Sequence, residues 1–69
     1  MPESVYKVIE LVGTSPDSWE DAVKNIVAKA GKTLRDLRIA EVVLLDAKIE
    51  DQKVAIFRAK VKLSFKFEA

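Results

Sequence analysis

An α+β fold of order β-α-β-β, a three-stranded antiparallel sheet wrapping one amphipathic helix, is predicted by three features of the 69-residue sequence. Phe57, Ala59, Val61, Leu63, Phe65 and Phe67 alternate with Arg58, Lys60, Lys62, Ser64 and Lys66, the period-two pattern of one long strand with two distinct faces. Trp19, Ala22, Val23, Ile26, Val27 and Ala30 recur at i, i+3, i+4, i+7, i+8 and i+11, which is the spacing of a single amphipathic helix. Leu37 to Glu50 is rich in Val, Leu and Ile and free of Pro and Gly, and so reads as a second long strand.

The elements follow in order. Val5 to Val12 mixes apolar and polar positions with several β-branched residues and is predicted to be the first strand, stopping at Gly13. Thr14, Ser15, Pro16 and Asp17 form a helix-start signal, with Ser15 as cap and Pro16 in the first turn, where its missing N–H would have had no partner. The helix is predicted from Pro16 to about Leu34. Glu20 and Lys24 support it as an i,i+4 pair, and Gly31 weakens its last turn. Asp51 and Gln52 then link the second strand to a third, from Val54 to Phe67. A two-residue turn there opposes Glu50 to Lys53, and counting back sets Leu44 against Ala59, Val42 against Val61, Glu41 against Lys62 and Ala40 against Leu63. In this register Ile39, Glu41, Val43 and Leu45 share the face turned away from the helix with Arg58, Lys60, Lys62 and Ser64.

A mismatch of lengths follows. The third strand, at roughly 3.3 Å per residue, reaches about 46 Å, whereas the helix is at most about 28 Å long at 1.5 Å per residue. One helix cannot cover this sheet, and the uncovered apolar surface is expected to meet another copy of the chain or a ligand. A single domain over residues 1–69 is near the lower size limit for a self-sufficient core, and 49% hydrophobic residues are hard to hide in it. With no Cys and no His, neither disulfides nor a Cys- or His-ligated zinc can supply the missing stability.

Composition also excludes several functions. Twelve Lys plus Arg against eleven Asp plus Glu leave no strong field for nucleic acid or an anionic membrane. The N-terminus resembles no signal peptide and no apolar run approaches the length of a membrane span, so a cytoplasmic protein is expected. The commonest catalytic base and nucleophile are missing with His and Cys, and there is no Gly-rich phosphate loop. Tyr6, Lys7 and Glu10 are accounted for by strand alternation, so no enzyme is expected. Trp19, the single tryptophan, is expected in the core of the helix stripe. The basic row of Arg58, Lys60 and Lys62 is a candidate anion-binding face, unless it is paired with Glu41 and the acidic groups of the first strand.

The segments Val5-Tyr6-Lys7-Val8-Ile9-Glu10-Leu11-Val12-Gly13-Thr14-Ser15, Ser18-Trp19-Glu20-Asp21-Ala22, Ala40-Glu41-Val42-Val43 and Val61-Lys62-Leu63-Ser64-Phe65-Lys66-Phe67 together resemble the dodecins, small β-α-β-β proteins that assemble as hollow spheres of twelve subunits. The resemblance implies a homododecamer that sequesters flavin (FMN, FAD or riboflavin), with a tryptophan from each of two chains sandwiching the stacked rings and a glutamine bonding the ring edge. At those two flavin-pocket positions this chain has Ile39 and Arg58. An isoleucine offers no aromatic face, and an arginine can donate hydrogen bonds but not accept them. Flavin binding is therefore expected to be weak or lost. Family members without the tryptophan are associated with calcium, for which Glu41 is a candidate ligand here, although no Asp-rich loop announces a site. An ion-binding or purely structural shell is the alternative.

Overall fold

The structure, a computed structural model, describes residues 4–67. It has the predicted order and type of elements: β1 (Tyr6–Ser15), α1 (Trp19–Ala30), β2 (Leu37–Glu50) and β3 (Lys53–Lys66). The strands form one antiparallel sheet in the order β1-β3-β2, and α1 packs on β1 and β3. Ala22, Ile26 and Ala30 of the helix meet Ala59, Val61 and Leu63 of β3, and these six residues are the buried core.

β1 runs three residues past its predicted end, through Gly13 to Ser15. Glycine is required there because strand and helix touch: a Cβ at Gly13 would lie 2.2 Å from Ile26 Cγ1 and 2.8 Å from the Ala22 carbonyl oxygen. The extension removes Ser15 from the capping role expected of it. Ser15 is instead a buried strand end paired with Phe57, its hydroxyl donating to Asp21 Oδ2 at 2.8 Å and accepting from the Asp17 N–H. Ser18 caps α1, accepting from the Asp21 N–H at 3.0 Å, and the helix begins at Trp19 instead of Pro16. It ends at Ala30 because the next N–H groups, of Lys32 and Thr33, bond to carbonyls three residues back, a tighter turn than α.

The β2–β3 hairpin has the predicted two-residue turn, with Glu50 opposite Lys53 and both Asp51 and Gln52 at positive φ (51° and 65°). Val42, Glu41 and Ala40 oppose Val61, Lys62 and Leu63, as counting predicts. The middle of the hairpin departs from it. Ile49 pairs with Val54 but Lys48 with Ile56, so Ala55 is an extra residue on β3; Val42 pairs with Val61 but Leu44 with Lys60, so Val43 is an extra residue on β2. Between these two bulges every partner is displaced by one. Leu45, not Leu44, opposes the buried Ala59, and Asp46 comes to oppose Arg58.

Much apolar surface is left open. Ile39, Val42, Val43, Leu44, Leu45 and Ile49 of β2 are all exposed. The subunit measures 55 × 21 × 14 Å with a radius of gyration of 14.3 Å, against about 11 Å for a compact chain of this length. Its accessible surface of 5500 Å² exceeds the roughly 4,300 Å² of a compact 7.7 kDa monomer. The excess, about 1,200 Å², is larger than the roughly 800 Å² that one partner contributes to a standard-size stable interface.

Candidate functional site

The face of the sheet turned away from α1 is built in rows, because residues directly opposite each other across a ladder share a face. From one end these rows are Val8–Ser64–Ile39, Glu10–Lys62–Glu41, Val12–Lys60–Leu44 and Thr14–Arg58–Asp46. Leu44 and Asp46 take the places expected of Val43 and Leu45, a correction imposed by the bulge at Val43.

Ile39 is among the most exposed large apolar residues, at 63%, and borders a shallow groove of 170 Å³ with Val27, Leu37 and Ala40. Arg58 lies six residues along β3 from the Ile39 partner Ser64, a distance of about 20 Å. One copy therefore does not bring Ile39 and Arg58 together. A larger groove of 550 Å³, between β1 and α1, contains none of the candidate residues.

Arg58 is held by a partner the sequence did not suggest. Its Nε donates to Asp46 Oδ1 at 2.8 Å and its Nη2 to Asp46 Oδ2 at 2.9 Å, a bidentate fork in which both partners remain partly open to solvent. The Arg58 hydrogen bond, helped by the positive charges of Arg58 and Lys60 and opposed by some desolvation, holds the Asp46 carboxyl below its usual range. The same bond pushes the Arg58 pKa up. Lys62 is flanked in register by two carboxylates, Glu10 and Glu41, and Lys60 by the apolar Val12 and Leu44. The basic row is thus interleaved with acidic and apolar neighbours. Glu41 faces Lys62, and among the described residues no three His, Cys, Asp or Glu side chains of one copy converge on a metal position.

Trp19 is not the buried core residue its spacing predicts. As the first residue of α1 it is 38% exposed and lies edge-on to Phe57 with ring centroids 5.0 Å apart. Its indole Nε1–H donates to the Asp46 backbone oxygen at 2.9 Å, so the residue that clamps Arg58 is itself tied to the helix start. The sequence carried no local signal for this, because the contact depends on the displaced stretch of β2.

The family model described as Dodecin matches residues 5–68. The chain belongs to the dodecin family. Dodecins are small-ligand-binding proteins, with members that bind flavin and members that bind calcium. The structure of dodecin from Streptomyces coelicolor is similar to this one with a TM-score of 0.94 at 43% identity, covering 100% of this chain and 99% of that one. The calcium dodecin of Mycobacterium tuberculosis is 41% identical over 63 residues, 91% of this chain and 89% of its own. The dodecin of Thermus thermophilus is 38% identical over 64 residues, 93% of each chain. Among the described residues no helix is long and apolar enough to cross a membrane.

Proposed function

We propose that the chain assembles as a hollow homododecamer that binds a small ligand where copies meet, with weak or no affinity for flavin. The observation that carries this reading is the outer face of β2 and β3. Ile39 and Arg58 lie on it about 20 Å apart, so a ligand touching both must receive them from two copies. The apolar side chains exposed on β2 supply the surface for that association. Isoleucine at position 39 supports the loss of flavin affinity, since an aromatic face is worth about 0.5–1.5 kcal/mol per ring contact beyond area burial.

Titration of riboflavin, followed by quenching of its fluorescence, tests this directly. The natural chain should give little saturable quenching, and the Ile39→Trp, Arg58→Gln double variant should give strong, saturable quenching. An unchanged titration in the double variant contradicts the assignment of both positions to the pocket.

A calcium-binding shell is the second reading, supported by the 41% identity to a calcium dodecin. Calcium takes about six to eight oxygen ligands, so Glu41 would act with carboxylates of neighbouring copies. Calcium should then raise the thermal midpoint and a chelator lower it; superimposable melting curves argue against it.

A further inference from the structure

We infer that the open edge of β1, together with the groove between β1 and α1, is a second binding site, which takes an extended peptide segment with apolar side chains and one carboxylate on the face turned to the helix. This site is separate from the sheet face that carries Ile39 and Arg58.

The strand order β1-β3-β2 leaves β1 unpaired along one side. One hydrogen bond fixes which of its main-chain groups lie there: the Phe67 N–H donates to the Val5 oxygen at 2.8 Å, one step along the register that sets Tyr6 opposite Lys66. Hydrogen-bonded and non-hydrogen-bonded pairs alternate in an antiparallel ladder. Lys7, Ile9, Leu11 and Gly13 therefore bond to β3, whereas Val8, Glu10, Val12 and Thr14 turn their N–H and C=O groups to the open edge. The Asn25 side-chain amide agrees with this phase, donating to the Thr14 oxygen at 3.1 Å and closing that end. Val8, Glu10 and Val12 have no main-chain partner on that side among the described residues.

The two edges of the sheet are not equivalent. β2 is interrupted by the bulge at Val43, which blunts it as a template, whereas β1 keeps unbroken register with β3 throughout. Beside the regular edge lies the 550 Å³ groove, within the range of about 300–1,000 Å³ typical of ligand clefts. Its lining, which includes Leu11, Ile26 and Ala30, is apolar apart from Thr14, Asn25 and Lys29. A strand added to β1 would match the free N–H and C=O groups with its own and set every second side chain on the helix side, against this lining. Lys29 is exposed, is the one charged residue of the groove and forms no ion pair among the described residues, so it selects a carboxylate on that side. A second copy of β1 suits the edge less well, because antiparallel pairing centred on the free stretch would oppose Glu10 to Glu10.

The probe is the peptide Val-Thr-Val-Thr-Glu-Thr-amide with fluorescein at its N-terminus, in which both valines and the glutamate share one face. Fluorescence anisotropy with the assembled natural protein should show saturable binding. N-methylation of single peptide amides should weaken binding about tenfold at alternate positions and leave the others unaffected, because only every second N–H meets the edge. Val12→Pro removes an edge donor and no bond of the β1–β3 ladder, and should weaken binding about tenfold with an unchanged far-UV circular dichroism spectrum. A lysine in place of the peptide glutamate should weaken it about fivefold. Absence of saturable binding, as when a neighbouring copy covers the edge, overturns the site. So does an N-methyl series without alternation, or a folded Val12→Pro protein of unchanged affinity; if that variant does not fold, the N-methyl series decides on the natural protein alone. Equal affinity for the lysine peptide overturns the selection of a carboxylate by Lys29.

Discussion

Replacing Gly13 by alanine should destabilise the subunit, although alanine suits an ordinary strand better than glycine does. Carbon atoms in contact lie about 3.5–4.0 Å apart, whereas the new methyl would sit 2.2 Å from Ile26 Cγ1 and 2.7 Å from its Cδ1. Ile26, on α1, is buried against Val61 and Leu63 of β3, and the Ala22 carbonyl oxygen, 2.8 Å away, is helix backbone that cannot turn aside. Relief requires α1 to lift from β1. Overpacking of this kind costs about 1–3 kcal/mol, offset by about 0.4–1 kcal/mol from stiffening the unfolded chain. A net loss of about 1–2 kcal/mol is expected in urea unfolding followed by far-UV circular dichroism, at one fixed subunit concentration because assembly contributes to apparent stability. Gly31→Ala is the control: its φ of −64° is ordinary and its nearest neighbour is 3.1 Å away, so it should move the midpoint far less. Ile26→Ala should cost less in the Gly13→Ala background than alone, because it removes the two atoms that clash. A Gly13→Ala protein as stable as the natural one would refute the close approach.

Gln52→Gly should stabilise the hairpin by about 0.5–1 kcal/mol in the same urea assay, since Gln52 holds a φ of 65° that glycine adopts without strain. Trp19→Phe keeps a ring beside Phe57 but loses the bond to the Asp46 carbonyl, and should cost about 0.5–1 kcal/mol while speeding amide exchange in the middle of β2. The Asp46 carboxyl is held below its unfolded value of 3.8, so the ion pair contributes its full stability above that pH and loses it as pH falls through the lower folded value. Acid unfolding of the natural chain should therefore carry a pH dependence below about 3.8 that Asp46→Asn reduces, with no difference in slope near neutrality; equal slopes in acid would show that the pair is not formed in solution.

The parts of this fold that were legible in the sequence are those where polar and apolar residues alternate. β3 declares both of its faces, and Asp51-Gln52 between two long apolar stretches gives the hairpin and its first pair. The part that was not legible is Val42-Val43-Leu44-Leu45, four apolar residues in succession with no polar marker to fix which face each takes. A one-residue insertion leaves no trace in such a run, and the bulges at Ala55 and Val43 cancel, so that Val42 still meets Val61 while Leu44 misses Ala59. The Asp46–Arg58 fork lies between those bulges, which is why the sequence offered Glu41 and the acidic groups of the first strand, and not Asp46, as partners for the basic row. The helix start was ambiguous for a different reason. Ser15 and Ser18 are both competent caps, and the choice falls to Ser18 because Gly13 lets β1 continue to Ser15.

β2 presents large apolar side chains, Ile39, Val42, Val43, Leu44, Leu45 and Ile49, that one subunit leaves exposed. Sedimentation velocity over a dilution series into the nanomolar range, with circular dichroism on the same samples, tests this directly. Folded protein should sediment as an assembly, and secondary structure should be lost wherever the assembly dissociates. A stably folded, isolated 7.7 kDa species would contradict that expectation.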